Sequence, residues 1–221
     1  MHDTPDLTLY YLIHRAMRLT AHQFATALST LDHGDRARAT ELTWWWNGFN
    51  TELHNHHTIE DEIFFPALGA KVPAFATYES SLADDHARLN GLMADLAETM
   101  PRLARGKWVE PQTRAVELSR DLAGFLDDHL AVEDEDVLPL FTRHFTSDEY
   151  EELDARAMKH APMKQMLFIV PWVLSALSDD ERTALLAKLP KVMNVIWGLT
   201  RRRYTRRTTA AFGVASLAVA R

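Results

Sequence analysis

The sequence predicts an all-α protein: an up-down four-helix bundle followed by two additional C-terminal helices. Three observations lead there. Only 8 of 221 residues are glycine, and apolar side chains recur at spacings of three and four over long stretches. No segment shows the period-two alternation of a strand. The periodic stretches are separated by short connections rich in turn residues, as neighbouring helices of a bundle require.

Helix A is expected from about Asp6 to Leu31, with Leu9, Leu12, Ile13, Met17 and Phe24 inside it and "DHGD" (32–35) as its stop. Helix B follows from about Arg36 to Leu68, and "GAKVP" breaks it. Helix C is expected from about Phe75 to Leu103, before "RGKWVEP". Helix D opens after Pro111 and reaches about Phe141. Thr146 with Glu149, and Ser178 with Glu181, have the spacing of capping boxes. They open helix E (about 147–176, kinked or divided by Pro162 and Pro171) and helix F (about 179–200). The expected organisation is a bundle over 1–145, a helical extension over 146–200 and a flexible basic tail over 201–221.

Composition narrows the function classes. There is no cysteine, so disulfides, thiolate metal sites and cysteine nucleophiles are excluded. The N-terminus lacks the apolar core of a secretory signal, and no run reaches the ~18 apolar residues of a membrane span. A cytoplasmic protein without a transmembrane segment is expected. The net charge is −7; residues 182–221 carry +9 and no acid, so the first 181 residues carry −16. An acidic body argues against nucleic acid as a partner. The sequence does not disclose the oligomeric state.

The informative feature is a repeat. Residues 56–66 read "HHTIEDEIFFP" and residues 129–139 read "HLAVEDEDVLP". In each a His is followed by Glu four residues later and by Pro ten residues later, near the end of a long helix. His and Glu four apart stand on one helix face. On helix B, His56 and Glu60 continue the apolar stripe of Leu42, Trp46, Phe49 and Leu53; on helix D, His129 and Glu133 continue Leu118, Leu122 and Phe125. A carboxylate in line with the core costs several kcal/mol to bury unless it is paired, and a metal supplies the pairing. Asp61, Glu62, Asp134 and Glu135 are expected to turn toward solvated flanks.

Helices A and C each place a lone His on an apolar face, His14 and His86. The set becomes four His and two Glu, an inventory that suits two ions with bridging carboxylates. Imidazole and carboxylate without thiolate favour iron, manganese or zinc. His57 competes with His56 as the ligand; His56 is preferred because it matches His129 in the repeat. His54 is expected to face solvent. His160 is expected at the surface or between helices, and His2, His22, His33 and His144 carry no expected role. Tyr10 and Tyr11 are expected in ordinary packing, with a pocket-lining tyrosine as the alternative. "WWW" (44–46) is expected as core plus one exposed indole.

These motifs resemble the hemerythrin-like (HHE cation-binding) family over about residues 7–145, in the order H…HxxxE…H…HxxxE. The resemblance implies a non-haem centre of two iron ions with an oxo or hydroxo bridge, manganese or zinc being alternatives, held by His14, His56, Glu60, His86, His129 and Glu133. The sequence departs from oxygen-carrying members at Asn90, where they have a second helix C histidine, and at Glu133, which follows His129 by four residues rather than five. Reaction with O2 or H2O2, in the manner of a catalase, peroxidase or oxidase, is therefore expected over oxygen transport. A non-catalytic protein that binds or senses iron, O2 or nitric oxide is the second reading, and a metal-free bundle with His–Glu pairs the third. No separate acid–base residue is evident.

Overall fold

The computed structural model describes residues 4–160 and 162–213, and they are helical nearly throughout. Helix α1 spans Thr8–Ser29 and α2 Arg36–Ile59. Between them Gly34 adopts φ +95°, a left-handed turn that a side chain would resist, and Asp35 caps α2 by accepting from the Arg38 amide. A π-turn at Glu60–Phe64 leads into α3 (Phe65–Lys71), and a 3-10 turn at Pro73–Phe75 precedes α4 (Ala76–Ala104). Helix α5 (Val109–Val132) passes through a second π-turn at Glu133–Val137 into α6 (Leu138–His144). Helices α7 (Ser147–His160), α8 (Met163–Ser175), α9 (Asp179–Lys188) and α10 (Lys191–Phe212) complete the described chain.

Helices B and D thus run as far as expected, but each widens by one residue at its glutamate. The Phe65 amide bonds to the Glu60 carbonyl and the Leu138 amide to the Glu133 carbonyl, five residues back. The prolines of the repeat explain the location. Pro66 and Pro139 lack an N–H and would crowd the carbonyls of Glu62 and Glu135 in a regular helix. A π-turn relieves both problems at the same point of the two repeats.

In the bundle, α1 packs on α5, α5 on α4 and α4 on α2. The remaining seam, between α1 and α2, is covered by α8 and α10. The extension is therefore part of the same apolar core, with Phe168, Trp172, Val173, Met193 and Ile196 among its buried members. Buried hydrogen bonds tie it down: the Trp172 indole donates to Thr20 Oγ1 at 2.8 Å, and the Trp45 indole to Thr208 Oγ1 at 3.2 Å. Phe24 stacks on Trp46, and Phe49 meets Trp172 edge-on. Each such large side chain contributes roughly 1.5–3 kcal/mol by burial. Of the three tryptophans, Trp45 and Trp46 are core, while Trp44 is half-buried under the Arg207 guanidinium.

Both capping boxes form. Helix E is divided at Pro162, whereas Pro171 is absorbed within α8. Helix F departs from expectation. Pro190 ends α9 and starts a new helix, because the residue before proline is forced out of the helical region (Leu189, ψ 153°). The basic stretch from Arg201, expected as a flexible tail, is helical to Phe212 in the described residues, since Tyr204, Thr208 and Ala211 pack inward. Residues 214–221 of that tail, and His2, lie outside the described residues. No described helix is long and apolar enough to cross a membrane.

Candidate metal centre

Midway along the bundle, between two apolar clusters, buried polar side chains converge. Met17, Leu53, Leu89 and Leu126 belong to the cluster on one side, and Ile63, Phe64, Phe65 and Val137 to that on the other. All six expected residues are buried there: His14, His56, Glu60, His86, His129 and Glu133. His57 joins them.

The donors fall into two groups, His14, His56, Glu60 and Glu133, and His57, His86 and His129. The carboxylates link them. Glu60 Oε1 lies 3.0 Å from His56 Nε2 and 4.0 Å from His14 Nε2, while its Oε2 lies 3.6 Å from His86 Nε2. Glu133 Oε2 lies 3.5 Å from His14 Nε2, while its Oε1 lies 3.3 Å from His129 Nε2 and 3.9 Å from His86 Nε2. Each glutamate thus presents one oxygen to each group. His56 and His57, adjacent in sequence, serve opposite groups. The expectation that only one of them belongs to the site is corrected: helix α2 turns both inward, because α1 lies over one and α4 with α5 over the other.

Two of the outer nitrogens are hydrogen-bonded to carboxylates. Asp134 Oδ1 bonds His14 Nδ1 at 2.7 Å and is itself paired with Arg18 through Oδ2 at 2.7 Å. Asp61 Oδ1 bonds His86 Nδ1 at 2.9 Å, and Asp85 Oδ2 stands 3.5 Å from His129 Nδ1. Asp134 is therefore not the solvated acid expected from its flank position, whereas Asp61 is exposed as expected and still bonds His86. Such partners fix the tautomer and leave Nε2 for the interior. Asp128, in contrast, is exposed.

Tyr10 is the second correction. Its hydroxyl donates to Glu60 Oε1 at 2.5 Å, and its ring packs edge-on to His14 and His56. Tyr11 is exposed, at 39%. The one available signal was position: Tyr10 lies four residues, one helical turn, before His14. Glu52 is also buried, on the α2 face leading to His56, and burial pushes its carboxyl up to about 7 against the opposing influence of His56 and Gln165. Glu52 thus adds a buried titratable carboxyl beside the six expected residues. His54 is exposed; His160 stands at the surface, 3.9 Å from Glu62; His22 pairs with Asp127 at the surface.

The electrostatics ask for cations. Burial and the neighbouring Glu60 push the Glu133 carboxyl well up, while the surrounding imidazoles outweigh burial at Glu60 and hold it down. Burial drives His57 well down and His129 to about 3, leaving both neutral and ready to donate a lone pair. Both nitrogens of His57 and of His129, Nε2 of His86, Oε2 of Glu60 and both oxygens of Glu133 are buried with no hydrogen-bond partner. Each such orphan costs about 1–3 kcal/mol or more. So many unsatisfied nitrogen and oxygen atoms in one buried cluster, eight from five residues, fit metal ions bound among them.

The model of the hemerythrin HHE cation binding domain matches residues 7–141. The chain is 26% identical to the zinc finger protein BRUTUS of Arabidopsis thaliana over 160 residues, a stretch that takes in 59% of this chain and 13% of that protein. It is 24% identical over 201 residues to a BRUTUS-like zinc finger protein of the same plant, covering 84% of this chain and 15% of that one. The chain spans about one seventh of the length of these curated relatives. No solved structure matches it.

Proposed function

The chain belongs to the hemerythrin HHE cation-binding domain family, and from that premise we propose that it is a non-haem di-iron protein whose oxo- or hydroxo-bridged site reacts with O2 or H2O2. The family binds metal cations, and the buried His/Glu groups of this chain are able to hold them. In this reading His14 and His56 hold one ion, His57, His86 and His129 hold the other, and Glu60 and Glu133 are shared. The observation that carries it is the division of each carboxylate, one oxygen toward each histidine group.

A bound iron pair would supply redox chemistry and Lewis acidity toward a small oxygen species. The chain's own residues set the conditions. Asp134 and Asp61 keep His14 and His86 oriented through Nδ1. The apolar clusters on both sides exclude bulk water and strengthen every interaction between charges inside. Tyr10, whose hydroxyl burial and Glu60 raise well above its ordinary value, keeps its proton and holds it at Glu60 Oε1. That makes Tyr10 a fixed donor at the edge of the site.

The second reading is non-catalytic binding or sensing of iron, O2 or nitric oxide. It is favoured by one arrangement: α2, which carries His56 and His57, packs directly on α8 and α10, so a change at the centre has a route to the extension. One set of measurements separates the readings. Metal analysis of the protein as isolated should give about two irons per chain, and its absorption spectrum should change with peroxide. Repeated consumption of peroxide supports the enzyme; a spectral change without turnover supports the sensor. Protein that contains no iron and takes up none would overturn both.

A further inference from the structure

Beside the centre, where α8 and α10 cover the seam between α1 and α2, lies a cavity of about 210 Å³. That is an order of magnitude more than the roughly 10–15 Å³ that admits a single water. On the bundle side it is lined by Tyr10, His56 and Glu52, and on the extension side by Met166, Val170 and Met193. Its wall is chiefly apolar, which is the composition of sites for small organic molecules rather than for hydrated ions.

Three carboxylates line the cavity, Asp6, Glu52 and Asp154, and Glu52, the buried one of the three, gives its interior a chemical preference. Its side chain is buried, lines the cavity, and leaves Oε2 without a hydrogen-bond partner. Gln165 of α8 engages the same carboxyl group, so the extension holds it in place. A buried acceptor with no donor is costly, and it favours an occupant that brings one. The far wall, from α8 and α10, offers no charge to the rest of such a molecule.

We propose that this cavity binds a small aliphatic molecule with a hydrogen-bond-donating head, an amine or an alcohol, the head on Glu52 and the chain among Met166, Val170 and Met193. The occupant would lie against Tyr10 and His56, next to the metal centre, and the C-terminal helices exist in part to enclose it. This goes beyond the reaction proposed above and does not depend on which ion the centre holds.

The test is calorimetric titration of the full chain, as purified, with n-hexylamine, n-hexanol and n-hexanoate, with iron measured in the same samples. Saturable binding of the amine or the alcohol at one site per chain is expected, with hexanoate at least tenfold weaker. Met193→Trp, which fills the cavity, should weaken the bound probe at least tenfold, and Glu52→Leu should abolish the discrimination against hexanoate. In unmutated protein, a hexylamine carrying a photoreactive chain terminus should label α8 or α10, which keeps the test decisive if a variant does not fold. Absence of saturable binding by amine and alcohol alike, equal binding of all three probes, or labelling confined to other segments would overturn the proposal. Binding of hexylamine by protein that contains no iron and takes up none would leave this site standing while the di-iron reading falls.

Discussion

His57 stacks on His86 with ring centroids 4.4 Å apart and planes 27° from parallel. One residue earlier, His56 turns its Nε2 to within 3.1 Å of His14 Nε2. Two consecutive residues of one helix thus reach separate donor groups. His56→Ala and His57→Ala should each lower bound metal by about one ion per chain, whereas His54→Ala, at an exposed position, should leave it unchanged. Metal analysis of the three purified variants checks this; full occupancy in His57→Ala would remove His57 from the site.

Asp134 acts through His14. It holds Nδ1 at 2.7 Å and is braced by Arg18. Removing the partner of a ligating histidine typically weakens metal affinity 10–100-fold. Asp134→Ala should show a loss of that size in competition with a chelator, while its helix content matches that of the parent. Glu135→Ala, at an exposed position on the same π-turn, should show none.

Glu133→Gln should change sign with metal. Without metal, burial and Glu60 oppose a charge at Glu133, so the neutral amide should raise the melting temperature by about 2–4 °C for each kcal/mol gained. With metal bound, the same change removes an anionic donor and should lower it. Thermal melts of chelator-treated and metal-loaded protein decide the matter, and a shift of one sign in both states would contradict the assigned role.

Gly48 is where α8 meets α2. A Cβ there would lie 2.4 Å from the Phe168 ring, and the Gly48 carbonyl accepts from the Gln165 side chain at 3.1 Å. Gly48→Ala should therefore push α8 off the bundle and cost about 1–3 kcal/mol, as overpacking does. Urea denaturation measures it; a neutral result would mean that the Phe168 ring moves aside freely.

Arg15 joins α1 to α9 through Glu181, with contacts of 2.9 and 3.0 Å. The Arg15 hydrogen bond, then the Ser178 amide, lower the Glu181 carboxyl to about 2 from 4.5. A lowered folded-state value stabilises above the unfolded value and is lost as pH falls through the folded one. Both side chains are more than a third exposed, so solvent screening limits the pair to about 0.2–1 kcal/mol. Glu181→Gln should be less stable than the parent by that amount above pH 4.5, with the gap closing toward pH 2. A gap that is constant across this range would show that the ion pair contributes nothing.

Much of the site was legible because its rules are short-range. His56 with Glu60 and His129 with Glu133 share a face by helical period alone, and the stripes of Leu42 to Leu53 and Leu118 to Phe125 say that the face is interior. The capping boxes at Thr146 and Ser178 are four-residue patterns and formed as read. Asp134 misled for the same reason that Glu60 and Glu133 did not. One step along a helix turns a side chain by about 100°, off the stripe but not away from a neighbouring helix. Tyr10 was underrated because its partner is 50 residues away.

Sequence by itself determined an all-helical chain, the two HxxxE faces, and the absence of any thiolate from the donor set, since period and composition are properties of each segment alone. Tertiary structure alone brought His57 and Tyr10 to the buried His/Glu cluster, set Asp134 and Asp61 against its histidines, and closed the α1–α2 seam with the last helices over a cavity. The reason is geometric. A segment's pattern says which way a side chain leaves its own axis, but what it meets there depends on how the other helices are arranged around it.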